Sequence, residues 1–370
     1  MLTMMFFNRV ISVDRDGNRR SSDSVRARRL VLTWLVSCCV LIFLMVVLGG
    51  VTRLTGSGLS MVNWKPLSGV IPPLSALAWQ QEFENYQGSP QFQQVNTNMT
   101  LARFQVIFYF EYAHRLLGRI IGLAFIVPFL FLWWRRLIRP SLVPRLLVVF
   151  VLGGMQGLLG WYMVRSGLVD VPWVSPYRLT AHLGLAVVLY SYLWWLVLDH
   201  WPMGAMRGGA TWHRQTGFLL CAAVLITVLS GGFVAGLKAG YVFNTFPLMA
   251  GEWLPPGYWV MEPGWRNFFE NIPTVQFNHR VLGIASFFGL MVFVGVAWRR
   301  SARGYYRWLL SILACAAIVQ IGLGIATLLL HVPISLAALH QANALLLLTV
   351  SLCVAFVGRQ GGDDGEGTFS

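Results

Sequence analysis

His114-Arg115-Leu116-Leu117-Gly118 and His279-Arg280-Val281-Leu282-Gly283 share one pattern, and each opens a long apolar run. Working outward, further pairs match in the same order. Leu48-Gly49-Gly50-Val51 precedes the first histidine, and Ser230-Gly231-Gly232-Phe233 precedes the second. Gln156-Gly157-Leu158-Leu159-Gly160 then answers Gln320-Ile321-Gly322-Leu323-Gly324, and His182 answers His340. The chain therefore reads as a duplication. Eight apolar spans are expected, roughly at 30–51, 105–134, 143–164, 178–198, 215–237, 273–298, 306–330 and 335–357, each about long enough to cross a bilayer. Four spans per copy give both copies the same orientation, so the repeat is parallel and not inverted.

Composition agrees. Of 370 residues, 56% are hydrophobic and 11% charged, which excludes an ordinary soluble domain. The formal net charge of +14 invites a nucleic-acid reading, but its distribution refutes it. Alternating the loops across the membrane puts 18 of the 28 basic residues on one side, among them Arg9, Arg15, Arg135, Arg139, Arg207, Arg299 and Arg303. By the positive-inside rule that side is the cytoplasm, and both termini lie there. The expected fold is an all-α polytopic membrane protein, with eight transmembrane helices in two tandem, parallel-related four-helix bundles. Residues 1–29 are a cytoplasmic basic tail, 30–200 the N-terminal bundle, 201–357 the C-terminal bundle and 358–370 a cytoplasmic tail. The first 29 residues have no apolar core, so they are not expected to be a cleaved signal. Asp14, Asp16 and Asp23 argue against a transit peptide. All five cysteines fall within spans, and neighbouring Cys38 and Cys39 read as small apolar residues.

The histidines carry the chemistry. From His114, His182, His279 and His340 the next inner charges are 21, 17, 20 and 19 residues away, at Arg135, Asp199, Arg299 and Arg359. At 1.5 Å per residue this is about 26–31 Å, so all four sit at one level near the outer face, in the early turns of their helices. An imidazole within a bilayer needs a partner or a task. Two repeated pairs point to two sites with paired axial nitrogen ligands, for which haem iron is the commonest acceptor. His331 competes with His340 but ends span seven and has no counterpart; His200 and His213 border the inner loop. Glu111 lies one helical turn before His114, whereas the matching position in the second copy is Gln276. One site thus has an ionisable neighbour and the other an amide. Arg115, Arg119 and Arg280 are candidates for contacts to anionic haem propionates, or else for pairing with carboxylates or snorkelling to headgroups. The long loops 52–104 and 238–272 face outward. Trp79–Tyr86 is expected to form a short interfacial helix, and loop Trp and Tyr residues to serve as interface anchors.

The run from Gly49-Gly50-Val51-Thr52-Arg53-Leu54-Thr55-Gly56-Ser57-Gly58-Leu59-Ser60, with Trp64, Pro66 and Glu111-Tyr112-Ala113-His114-Arg115-Leu116-Leu117-Gly118-Arg119, resembles the haem A synthase family. The similarity continues through Asn278-His279-Arg280 and His340-Gln341. The resemblance implies oxidation of the C8 methyl of haem O to a formyl group, giving haem A for cytochrome oxidase. It implies that His114 and His182 bind the substrate haem, that His279 and His340 hold a haem b cofactor, and that Glu111 is the family's essential acid. Without a cysteine pair in an outer loop, the chain is similar to the type found in proteobacteria and mitochondria. A bacterial inner membrane is the expected location, ahead of the mitochondrial one. Expected partners are haem O, the haem O synthase that supplies it, the lipid bilayer and a further copy of the chain; the sequence names no electron acceptor. Two rival classes are a di-haem b-type electron-transfer cytochrome and a haem transporter or chaperone. The first usually carries two ligands on one helix, at different depths, and the second a Trp-rich external motif; neither arrangement is found.

Overall fold

The computed structural model describes residues 19–64, 68–201, 211–300 and 304–359. Readings made on residues 1–18, Pro66, Arg207, Arg303 and the tail from 360 lie outside them. Among the described residues eight helices are long and apolar enough to cross a membrane. They are α1 (Arg19–Leu54), α2 (Leu101–Trp134), α3 (Val143–Arg165), α4 (Pro176–His200), α5 (Thr211–Gly236), α6 (Ile272–Arg300), α7 (Gly304–Leu329) and α8 (Ile334–Arg359). The expected spans are all present.

Local chemistry sets the helix starts. Pro176 opens α4, Pro273 is the second residue of α6, and Pro333 directly precedes α8. Proline suits these positions because the first N–H groups of a helix have no intrahelical acceptor. Helix α2 begins at Leu101, where the Thr100 side chain accepts from the Arg103 N–H. It starts further out than the sequence indicated, so His114 lies in its fourth turn and not in an early one. The added turn supplies Phe104, which with Phe108 lies beneath a loop helix, Ala76–Gln87, capped by Ser75. Trp79, Phe83 and Tyr86 of that helix are buried there, with the Trp79 and Phe108 rings 5.0 Å apart and edge-on. The interface-anchor expectation fails for Trp79 and Tyr86 because α2 offers them an aromatic platform. Trp253, Trp259 and Trp265 in the second loop are exposed.

The helix contacts obey the duplication. Helix α1 packs on α2 and α4, as α5 packs on α6 and α8; α4 rests on α3, as α8 rests on α7. Between the halves, α4 meets α5 as α8 meets α1, and α4 meets α8 near the centre. Exchanging the halves maps these contacts onto themselves, as a parallel repeat requires. Side-chain bonds pin the central pair: the Tyr190 and Thr349 hydroxyls are 2.8 Å apart, and Trp194 Nε1 donates to Cys353 Sγ at 3.4 Å.

The tight core lies on one side of the histidines. Leu35, Leu146, Leu193, Leu196, Leu310 and Leu313 are essentially inaccessible, and the whole main cluster falls toward the inner helix ends. The histidine level is looser, with mostly half-buried residues. At the inner edge Arg145 pairs with Asp199 at 2.8 Å and Arg28 Nε donates to the His200 carbonyl at 2.8 Å. Lipid supplies no hydrophobic drive for helix association, so close packing and these few polar bonds hold the bundle. If the charge asymmetry sets the topology, reporter fusions after Arg139 and Arg300 report the cytoplasm, and fusions near Gln91 and Pro256 the outside. Opposite signals at two of these sites would invert the depth of every histidine.

Candidate functional site

Each of the four histidines rests on a glycine of a neighbouring helix. A Cβ placed on Gly49 of α1 would lie 3.0 Å from His114 Cε1 of α2. Gly160 of α3 stands at 2.9 Å from His182 of α4, Gly231 of α5 at 3.1 Å from His279 of α6, and Gly324 of α7 at 3.0 Å from His340 of α8. A side chain at these positions would press on the ring, so that the imidazole would have to give by a few tenths of an ångström; glycine lets it lie against the helix backbone undisturbed. The repeated glycines of the sequence thus acquire a function that their spacing alone did not reveal. His331 takes a different place: it sits exposed in the turn between α7 and α8, at a φ of +60°.

The histidines fall into two pairs. His114 and His182 lie within electrostatic range of one another, as do His279 and His340. All four rings are half-buried. Among the described residues no group of three or more His, Cys, Asp or Glu side chains gathers to hold a bare metal ion. Two imidazoles per site fit an iron whose other four ligands come from a porphyrin. The buried polar atoms point the same way. His279 Nδ1 lies 2.7 Å from Ser230 Oγ, which leaves Nε2 for a ligand. His114 Nδ1 and His182 Nδ1 are buried without a hydrogen-bond partner. The residues present therefore fit haem at both pairs.

The outer rim is built on Glu111 and the arginines. Glu111 is 3% exposed. Its Oε2 accepts from Ser60 Oγ at 2.7 Å and from the Met61 N–H at 2.8 Å, while Oε1 accepts from Arg115 Nη2 at 2.6 Å. Arg115 also donates to the Met61 and Asn63 carbonyls. In the second copy Arg280 donates to the Phe243 and Thr245 carbonyls, and Gln276 Nε2 donates to Phe243 as well. Both arginines therefore clamp the outer loop of their own copy down onto the helix that carries the first histidine. Only the first copy adds a carboxylate. The Glu111–Arg115 pair that the sequence left as an alternative is present. Ser60 and Met61 escaped sequence reasoning because they reach Glu111 only after the loop folds back.

A model of the cytochrome oxidase assembly protein family, COX15-CtaA, matches residues 32–352. The chain belongs to this family. It is 48% identical over 343 residues to a protein named heme A synthase from Nitrosospira multiformis, covering 91% of this chain and 95% of that one. It is 47% identical over 328 residues to its namesake from Nitrosomonas eutropha, with 88% and 92% covered. For the one from Parvibaculum lavamentivorans the figures are 45% over 324 residues, 86% and 91%.

In this COX15-CtaA member the second glycine of each pair joins the two halves. Gly50 admits the Gln341 side chain of α8, whose Nε2 donates to the Val46 carbonyl at 2.8 Å. Gly232 lies against Thr180 of α4, where an added Cβ would come within 2.9 Å of the hydroxyl. Arg53 donates across the halves to the Ala235 carbonyl. An open apolar groove of about 370 Å³ lies between α4 and α5, where the two halves meet, lined in part by Ala181, Leu185, Leu225 and Leu229. On the outer surface Arg266 and the Tyr177 hydroxyl hold the Glu270 carboxyl below the usual carboxylate range, tying the second loop to α4.

Alanine at two glycines of α7 tests the seats. Alanine forms helix better than glycine by about 1 kcal/mol, so the helix itself loses nothing. Gly324→Ala is expected to shift the His340 ring and lower the low-spin haem retained on purification several-fold. Gly322→Ala, with no atom near the added Cβ, is expected to leave it unchanged. Equal haem content in the two variants would show that the ring does not depend on that contact.

Proposed function

We propose that this chain oxidises the C8 methyl group of haem O to a formyl group, making haem A for cytochrome oxidase. The observation that carries the reading is the pairing of two similar bis-histidine seats, only one of which has a carboxylate beside it. The names of relatives that match nearly the whole chain support the same reaction. On this reading the N-terminal bundle, 30–200, takes haem O on His114 and His182. The C-terminal bundle, 201–357, holds haem b on His279 and His340. Haem b, when bound, supplies a one-electron acceptor beside the oxidation.

The chain's own residues do the rest. His114 and His182 fix the substrate plane at one depth in the membrane. The loop clamped by Arg115 closes the outer side and excludes water, which strengthens electrostatic effects within. Every hydrogen bond that the Glu111 carboxyl makes is one it accepts, the pattern of a carboxylate. A fixed negative charge there favours the positive charge that develops at a methyl carbon as electrons leave, and it offers an acceptor for the departing proton. Gln276 accounts for the lack of this chemistry at the second seat. The proposed setting is a bacterial inner membrane with both termini in the cytoplasm, haem O being handed over by its synthase.

Expression in a host that makes haem O, followed by chromatography of the extracted haems, separates this reading from an electron carrier or a haem transporter. Haem A should appear only with the active chain. Glu111→Gln keeps the shape and removes the charge. It is expected to lower the haem A to haem O ratio, normalised to haem b, by about 10²-fold or more, the usual scale for acid–base and electrostatic groups. A normal ratio in folded Glu111→Gln protein would confine Glu111 to holding the loop.

Ligation has its own test. His279→Ala and His340→Ala are each expected to abolish the low-spin b-type absorbance, whereas His331→Ala keeps it. Loss in the His331 variant alone would move the ligand to the turn.

A further inference from the structure

We propose that Ser230 is the positioning residue that makes His279 a lasting haem ligand, and that Leu48, at the matching place of the first copy, leaves His114 able to release its haem. The proposal rests on the reading that the first pair holds substrate and the second a resident haem b.

The hydrogen-bond network fixes the roles. Ser230 Oγ donates its proton to the Thr227 carbonyl at 2.8 Å. The same oxygen, 2.7 Å from His279 Nδ1, is then left to accept, so Nδ1 carries the ring proton and the Nε2 lone pair is bare for iron. Further hydroxyls brace the turn: Thr227 Oγ1 donates to the Ala223 carbonyl and lies 2.9 Å from Ser286 Oγ. Ser230 immediately precedes Gly231, the seat of His279, and Leu48 immediately precedes Gly49, the seat of His114. The two rings meet their glycines almost identically, at 3.1 and 3.0 Å. One has a hydroxyl to orient it; the other has an aliphatic side chain and a buried, unpartnered Nδ1.

The second ligand of each pair repeats the contrast. Gln320 Nε2 lies 3.2 Å from His340 Nδ1, and Asn343 donates to Gln320 Oε1 at 2.8 Å. In the first copy Gln156 Nε2 donates instead to the His182 backbone carbonyl, Leu185 stands where Asn343 does, and His182 Nδ1 is unpartnered. At the second ligands the contrast is therefore one of surroundings only: the Gln320 amide nitrogen lies 3.2 and 3.5 Å from the two ring nitrogens of His340 and is a donor, so the Nδ1–H bond belongs to His279 alone. A hydrogen bond at Nδ1 fixes the tautomer and makes the ligand more basic, which tightens the bond to iron and favours the ferric state. A seat that accepts a haem and gives up the altered haem in each cycle works better without that bond. The fold has one scaffold in two versions, and the second shell decides which haem stays.

The experiment uses the purified full-length chain loaded with haem, challenged with excess apomyoglobin to time haem release, beside redox titration of the low-spin haem. Ser230→Ala is expected to keep the bis-imidazole spectrum, release the slow haem about tenfold faster and raise its midpoint potential. Ser230→Thr restores both, because it returns the hydroxyl. Leu48→Ser is expected to slow release of the fast haem. Unchanged release and potential in Ser230→Ala overturn the proposal, as does a lower protein yield with both values unmoved, since a purely structural serine would act that way. Leu48→Ser decides independently of whether Ser230→Ala accumulates: no slowing there also counts against it. His279→Ala run in parallel separates the two levels. If the slow haem survives it, the assignment of the haem b pair is wrong; if the slow haem is lost while Ser230→Ala behaves as wild type, only the role of Ser230 is refuted.

Discussion

The close approach of a helix backbone to an imidazole, eased where a glycine removes the side chain, is the constraint on which the rest of this molecule depends. It occurs four times: at Gly49, Gly160, Gly231 and Gly324. In a bilayer the helices gain little from leaving lipid, so the places where they touch are chosen by shape and by polar bonds. Each seat sets the spacing of two helices and the depth of one histidine together. The neighbouring glycines, Gly50 and Gly232, then bring the opposite half against the same helix, with Gln341 and Thr180 as the inserted groups. One dipeptide per copy thus shapes a site on one face and joins the copies on the next.

Packing divides by depth. The inner half is a dense aliphatic core around Leu193, Leu310 and Leu313. At the histidine level most residues are half-buried and the packing is looser. Above that, charged groups hold the loops together with apolar burial in the first: Arg115 and Arg280 each gather two carbonyls from the loop above, and the first loop also packs Trp79, Phe83 and Tyr86 on α2. Glu111 adds a buried ion pair to this clamp in the first copy. A buried pair of this kind is weak evidence for stability, since desolvation offsets its attraction. The matching position in the other copy carries an amide, Gln276, which donates to the Phe243 carbonyl.

Duplication followed by local divergence gives the two sites their difference. The backbone, the seats and the loop clamps are shared. Three replacements separate the copies around their ligands: Glu111 against Gln276, Leu48 against Ser230, and Leu185 against Asn343. None changes a helix or a crossing. Each changes the polarity close to a histidine while leaving the shared scaffold in place.

The sequence by itself determined the spans, the parallel repeat, the charge asymmetry and the four buried histidines, because apolar length, repeat order and side-chain charge are properties of the chain in one dimension. It also singled out Glu111 and its amide counterpart, since both stand one turn from a histidine on the same helix. Tertiary structure alone decided what the glycines are for, because a seat joins residues from different helices. It alone showed that Ser60 and Met61 bind Glu111, some fifty positions away, across a loop whose return path carries no periodic signal. The inward burial of Trp79 and Tyr86 was hidden for the same reason: their platform, Phe104 and Phe108 of α2, meets them only once the loop has folded back. The partner of each Nδ1 was likewise beyond the sequence, since a hydrogen bond depends on two helices meeting within 3 Å, and only packing fixes that distance.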